Sequence, residues 1–311
     1  MIEVQRLLKR FGDRTVLEEL SLQVPRGTAY GLVGSAGAGK TTLLSILAGL
    51  EAWDAGSVHI AVSGPEVGYV PGIPGSFPAM TVGEYMDFFA ACCGLSGAEV
   101  QNRIHLLLEM AGLSGREAQL TDSLSPGQRR KLSLVRALLP TPSLLLLDEP
   151  MKGMDSAFRS TLRQILSELS AEGTTLFMTA SVLSDVSGIC SDIGILDGGR
   201  LVLEGSLGEV QRRVNASSPI IITVEGAITE AIRILKENPG VHALSIRNRE
   251  LLIHFEGDAA EEAGLLEDLV MAGVPVCGFH REQGNLEALF RSLSGEETER
   301  RISGYEAESD L

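Results

Sequence analysis

The chain has 311 residues, near the size at which a single hydrophobic core stops growing and splits, so two domains are expected. Its formal charge of −15 repels nucleic-acid phosphates and offers no basic stripe, which argues against DNA or RNA as a partner and for a neutral or protein one. The longest apolar runs, at 144–147 and 219–223, fall far short of the roughly 18 to 20 residues of a membrane span, and no secretion signal opens the chain; a cytoplasmic protein with no transmembrane segment of its own is expected.

From residue 1 to about 214, short apolar strands alternate with helical runs, the pattern of an α/β domain with a largely parallel sheet. Strands are predicted at 2–8, 20–24, 29–33, 57–62, 67–70, 143–147, 174–179 and 192–203. The third runs into Gly34-Ser35-Ala36-Gly37-Ala38-Gly39-Lys40-Thr41, a G-x-x-x-x-G-K-T pattern, and Thr42 continues into a helical run with Leu43, Leu44 and Leu47 on one face. Strand, glycine loop and helix in that order form a phosphate-binding loop. Its glycines let backbone N–H groups curl around a di- or triphosphate. Lys40 would reach between the β- and γ-phosphates, the Thr41 hydroxyl would ligate Mg²⁺, and the start of the helix adds the positive end of its dipole.

Between Pro78 and Asp122 the strands vanish and helical periods begin, at Thr81-Val82-Gly83-Glu84, a capping box. This predicts a helical insertion over about 78–142. Within it, Leu124-Ser125-Pro126-Gly127-Gln128 opens a helix, with Ser125 as N-cap, Pro126 at the first helical position and Gln128 three residues after the cap. Next comes Ser143-Leu144-Leu145-Leu146-Leu147-Asp148-Glu149, a strand apolar enough to be covered on both faces and ending in two carboxylates. Asp148 would hold Mg²⁺, and Glu149 would polarise the water that attacks the γ-phosphate.

A polar stretch, Asn215-Ala216-Ser217-Ser218-Pro219, marks a break. Beyond it the order is strand 220–224, helix 227–237, strands 241–246 and 251–255, helix 259–272, strand 274–280 and helix 285–293. This predicts a small α+β domain over 219–294 with the βαββαβ, ferredoxin-like arrangement. Its histidines His242, His254 and His280 are scattered and suggest no metal site. Residues 295–311 are acidic and poor in apolar side chains, which predicts a disordered tail. The cysteines Cys92, Cys93, Cys190 and Cys277 have neither C-x-x-C nor zinc spacing and read as reduced core thiols.

With the phosphate loop, the Ser125-Pro126-Gly127-Gln128 helix start and the Asp148-Glu149 strand in this order, residues 1–214 resemble the ATP-binding subunit of an ABC transporter, a P-loop NTPase of ABC type. The resemblance implies that Leu124 to Gln128 stand at the family's LSGGQ signature, with proline for its first glycine. There Ser125, Gly127 and Gln128 would cap an ATP held by the opposite protomer. It further implies that Asp155 belongs to the D-loop at the dimer interface and that Phe11 stacks on adenine. ATP and Mg²⁺ are the implied cofactors. The implied partners are a membrane permease and a second ATP-binding subunit, identical or different. The implied location is peripheral, at the cytoplasmic face of the plasma membrane. The C-terminal part, closing on Gly284-Asn285-Leu286-Glu287-Ala288-Leu289-Phe290, looks like the accessory domain of subunits that serve export-type permeases. The apolar 77–80 segment with Tyr85, Phe88 and Phe89 is the expected surface for the permease's cytoplasmic helices, and buried helix packing is the other reading of those aromatics.

Two family side chains are missing. The position of the Q-loop glutamine holds Gly72, and no glutamine lies between Gln23 and Gln101. The position of the switch histidine holds Ser181, and no histidine lies between His105 and His242. Slow hydrolysis is therefore expected, either because a partner subunit carries complete sites or because the chain switches on ATP binding; ordinary turnover on Glu149 alone is the other reading. The rivals to a transporter subunit are a soluble ABC-type ATPase of another process and a regulatory ATP-binding module with little hydrolysis.

Overall fold

The structure, a computed structural model, describes residues 1–282 except Ser76, Asn248, Arg249, Glu256 and Asp258. The expected helix 285–293, the 284–290 run and the acidic 295–311 tail lie outside the described residues. The chain divides into two compact units, Met1–Leu207 and a second beginning at Gly208.

The first unit opens with a hairpin, β1 (Ile2–Phe11) and β2 (Arg14–Val24), to which β4 (Ala55–Ile60) adds antiparallel on the β1 side. The pairing shifts register after Val4, Leu7 and Lys9, and Arg6 and Glu19 take positive φ. These bulges break the two-residue alternation that betrays a strand, and they explain why β1 and β2 run longer than the sequence pattern indicates.

Beside this lies a six-stranded sheet in the order β5-β6-β7-β3-β8-β9, made of β3 (Ala29–Val33), β5 (Val67–Val70), β6 (Leu144–Leu147), β7 (Thr175–Ala180), β8 (Asp192–Asp197) and β9 (Arg200–Ser206). All neighbours are parallel except β9, which is antiparallel to β8. The single strand expected at 192–203 is thus a hairpin. Gly198 and Gly199, both at positive φ, supply the left-handed pair that a tight two-residue turn requires. Every residue of β3, β6 and β7 is buried, as befits strands covered on both faces.

Helix α1 (Lys40–Leu47) follows β3 and buries Leu43, Leu44, Ile46 and Leu47 in the core shared with the hairpin. The insertion contains α2 (Val82–Cys92), α3 (Ala98–Met110) and α4 (Pro126–Leu138). Both of its capping boxes form: Thr81 with Glu84, and Ser125 with Gln128. The three helices close over Tyr85, Met86, Leu108, Leu113 and Val135, and each such large side chain contributes about 1.5–3 kcal/mol on burial. Helix α5 (Ser156–Ala171) leads from β6 to β7.

Helix α6 (Leu207–Ser217) runs through the Asn215-Ala216-Ser217 stretch read as a break. After it, β10 (Ile220–Val224), α7 (Ile228–Glu237), β11 (Val241–Arg247), β12 (Glu250–Phe255), α8 (Ala259–Met271) and β13 (Val276–Arg281) form an antiparallel sheet in the order β11-β12-β10-β13. Ile220, Ile222, Leu251, Ile253, Leu265 and Leu269 make its core.

Of the cysteines, Cys190 alone is buried, and burial pushes its thiol up to about 12. Cys92 and Cys277 are exposed and Cys93 is intermediate. The core reading fails for Cys92, the last residue of α2, and for Cys277 on β13.

Candidate functional site

Parallel register brings the carboxyl ends of three strands level: Val33 of β3 lies beside Ala180 of β7, and Leu147 of β6 beside Met178 of β7. The residues that follow these ends therefore share one edge of the sheet. They are the phosphate loop from Gly34, the pair Asp148 and Glu149, and Ser181. In open α/β sheets this carboxyl edge is where ligands bind.

Sterics fix the loop. A Cβ at Gly34 would lie 2.2 Å from the Leu196 carbonyl oxygen of β8, so only glycine lets β3 turn there. Gly39 sits at φ 107, against Leu17 and the Val16 carbonyl of β2. Lys40 opens α1, and its buried ammonium donates to the carbonyls of Gly34 (2.7 Å) and Ser35 (2.9 Å). Burial lowers its pKa, and the charges of Glu149 and Asp148 act against that.

Asp148 is buried, and both of its oxygens are engaged: Thr41 Oγ1 donates to Oδ2 at 2.9 Å and Thr179 Oγ1 donates to Oδ1 at 2.6 Å. Thr179 in turn accepts the Glu149 N–H at 2.9 Å. This fully buried threonine ties both carboxylate residues to β7, and the signal for it was a hydroxyl near the end of an apolar strand.

Glu149 takes a left-handed backbone, φ 45, which costs a residue with a side chain about 1–3 kcal/mol and persists where surrounding contacts over-determine it. Its Oε1 accepts from the Ser181 hydroxyl and lies 3.7 Å from Lys40 Nζ; its Oε2 lies 2.5 Å from Lys152 Nζ. Burial alone would push this carboxyl up. Hydrogen bonds from Lys152 and Ser181, with the charges of Lys152 and Lys40, outweigh it and hold the group below the usual carboxylate range.

Gly72 stands on the segment after β5. A Cβ there would lie 2.8 Å from Asp148 Oδ2, so the glycine is accommodated to that carboxylate. Its carbonyl accepts from Arg130 of α4, which also donates to the Lys152 carbonyl. Arg130 and Lys152 were not singled out from the sequence, because nothing in a local pattern shows a bond between α4 and the segment after β6.

The remaining residues stand apart. Ser125 and Gln128 use their side chains on each other's backbone (2.9 and 3.2 Å), and among the described residues no bond joins Ser125, Gly127 or Gln128 to the phosphate loop. Asp155 caps α5 through the Phe158 N–H at 2.8 Å and lies 3.8 Å from Lys131 Nζ of α4. Phe11, at the tip of the β1–β2 hairpin, is 49% exposed, with Lys9 Nζ 4.6 Å from its ring centre; that exposure excludes a core role. Of the two readings of the aromatics near α2, packing among themselves describes most of them. Tyr85 is buried, with the ring centres of Phe77 and Phe89 5.1 and 4.7 Å from its own, because α2 turns Tyr85 and Phe89 onto the insertion core, where Phe77 joins them. Phe88 is the exposed one. No helix among the described residues is long and apolar enough to cross a membrane.

A family model described as ABC transporter matches residues 17–152, the segment that holds the phosphate loop and both carboxylates. The linearmycin resistance ATP-binding protein LnrL of Bacillus subtilis (strain 168) is 28% identical over 307 residues, covering 95% of this chain and 98% of that protein. The Nod factor export ATP-binding protein I of Cupriavidus metallidurans is 32% identical over 308 residues, covering 96% and 98%. A solved ATP-binding subunit of an ABC transporter superposes with a TM-score of 0.63 at 29% identity, over 68% of this chain and 92% of that one. With 32% identity along nearly the whole of both chains, this chain belongs to the ATP-binding subunits of ABC transporters, a family of ATP hydrolases.

Proposed function

We propose that the chain hydrolyses ATP slowly to drive a separate, export-type membrane permease, as one of two cassettes that close head to tail around ATP. The observation that carries this reading is the meeting of Lys40, Thr41, Asp148 and Glu149 at one sheet edge. The relatives' names, which include Nod factor export, favour export. An assembly at the cytoplasmic face of the plasma membrane is the location that follows.

Thr41 Oγ1 and Asp148 Oδ2, 2.9 Å apart, are hard oxygen donors of the kind Mg²⁺ takes alongside substrate phosphates. When bound, that ion would neutralise charge on the β- and γ-phosphates. Lys40 would exchange the Gly34 and Ser35 carbonyls for phosphate oxygens, a stronger charge-assisted bond. Phe11 would stack on the adenine, and the loop N–H groups from Gly34 through Thr42 would hold the phosphates. Glu149 would orient the water whose oxygen bonds to the γ-phosphorus as the bond to ADP breaks, and would take its proton. Hydrolysis is slow in this reading because Gly72 and Ser181 leave that water and the γ-phosphate less well positioned.

Binding and turnover of Mg-ATP test the assignment. Lys40→Ala should abolish binding, and Glu149→Gln should retain binding while removing turnover. Unchanged calorimetric affinity in the first variant, or unchanged turnover in the second, would refute the site.

A further inference from the structure

The loop between Glu149 and Asp155 carries a cation that the chemistry above leaves unused. Lys152 Nζ is 2.5 Å from Glu149 Oε2, with the lysine side chain 68% exposed and the glutamate 16%. The other carboxylate oxygen is held by Ser181 and approached by Lys40. Glu149 is therefore gripped from opposite ends, and the grip on Oε2 comes from Lys152. That lysine is itself anchored at the backbone: its N–H donates to Glu149 O at 3.1 Å, and its carbonyl accepts from Arg130 of α4. Its head is on a flexible stem in solvent, free to follow the carboxylate.

ATP brings negative charge to the same place. Like charges a few ångströms apart repel strongly outside bulk water, so an arriving γ-phosphate pushes Glu149 away from the line of attack. Lys40 cannot resist this, because the phosphates claim it. Ser181 is neutral.

Taking the hydrolysis reading as its basis, we infer that Lys152 is a positioning residue: its ammonium keeps the Glu149 carboxylate beside the γ-phosphate during attack. As a stability element the pair matters little, since ion pairs with a largely exposed partner contribute little to folding. Loss of Lys152 should be felt in rate and not in melting.

The test is steady-state Mg-ATP turnover by the full chain, with thermal unfolding alongside, for wild type, Lys152→Ala, Lys152→Arg and Glu149→Gln. Lys152→Ala should lower kcat by about ten- to a hundredfold, up to the scale of a reacting group misplaced by about 1 Å, with KM for ATP changed far less. Lys152→Arg should recover most of the rate. Alanine turnover equal to or above wild type would overturn the inference and mark the lysine as idle or as a brake. Arginine no better than alanine at unchanged melting would overturn it too. If wild type turns over no faster than Glu149→Gln, the hydrolysis reading itself fails and takes this inference with it.

Discussion

The two sides of the proposed nucleotide site are made of different material. The phosphate loop is backbone, wedged between β2 and β8 by glycines that a single methyl would dislodge. The side where the attacking water would stand is made of side chains from two segments, Glu149 and Lys152 after β6 and Thr179 and Ser181 at the end of β7, and it includes Gly72, which offers none. Backbone sites fail by steric intrusion and all at once. Side-chain sites shift by degrees, so affinity for ATP and rate of turnover should separate cleanly between the two sides.

The harshest challenge to that contrast is Gly34→Ala. The added carbon would sit 2.2 Å from Leu196 O and 3.3 Å from the Ala38 side chain, and neither can retreat without moving β8 or the loop. Overpacking of this kind costs about 1–3 kcal/mol, and ATP binding should vanish with it. Calorimetry and thermal unfolding report both losses; a variant that keeps wild-type affinity would show that the loop is not held as rigidly as the contacts indicate.

On the side-chain face, the missing family groups are not equivalent. Ser181→His replaces a neutral hydroxyl beside Glu149 and should raise turnover at least about tenfold, a fraction of the roughly 10²- to 10⁴-fold that a well-placed acid-base group supplies. Gly72→Gln should bring no such gain, because its Cβ meets Asp148 Oδ2 at 2.8 Å while Thr41 and Thr179 hold that carboxylate. Turnover at saturating Mg-ATP compares them directly. Equal gains from both, or none from Ser181→His, would mean the rate is limited elsewhere.

The same contrast explains what could be read from the chain. Patterns that act within a few residues were legible: the glycine loop between β3 and α1, the capping boxes at Thr81 and Ser125, the apolar run of β6 with its two carboxylates. Contacts joining distant segments were not. Lys152 on Glu149, Arg130 on Gly72, and Thr179 between Asp148 and Glu149 depend on strand register and on a helix laid across it, and no local spacing encodes either. The hairpin at Gly198 and Gly199 was open to reading, but the apolar residues on both sides of it resembled one strand. The ring cluster of Tyr85 and Phe89 fits the second of the two readings open for it, and the sequence leaves both open because apolar side chains on a helix look alike whether they meet a partner or their own core.

Phe11 offers a milder probe, since it touches neither phosphate nor carboxylate. Phe11→Ala should weaken ATP by about 1 to 2 kcal/mol, the scale of a base-aromatic stack, and leave inorganic triphosphate unaffected. Equal losses for both ligands would place its role in the fold of the β1–β2 hairpin.

The smallest effect distinguishes the two sides by protons. Lys40 and Glu149 both sit below their ordinary pKa, for opposite reasons: burial disfavours the charged lysine, whereas Lys152, Ser181 and Lys40 favour the charged glutamate against its burial. In each case the folded value lies below the unfolded one, so the associated stability is present above the unfolded pKa and fades as pH falls through the folded one. For Glu149 that window lies in acid, from the unfolded value near about 4.3 downward; for Lys40 it opens below about 10.4. ATP favours charged Lys40 and so raises its pKa, and binding in alkaline solution must then take up a fraction of a proton. Calorimetry stepped from about pH 8 up to the ordinary lysine range near about 10.4, in buffers of differing ionisation heat, should show that uptake. Proton release, or heats independent of the buffer, would mean that the phosphates never reach the Lys40 ammonium.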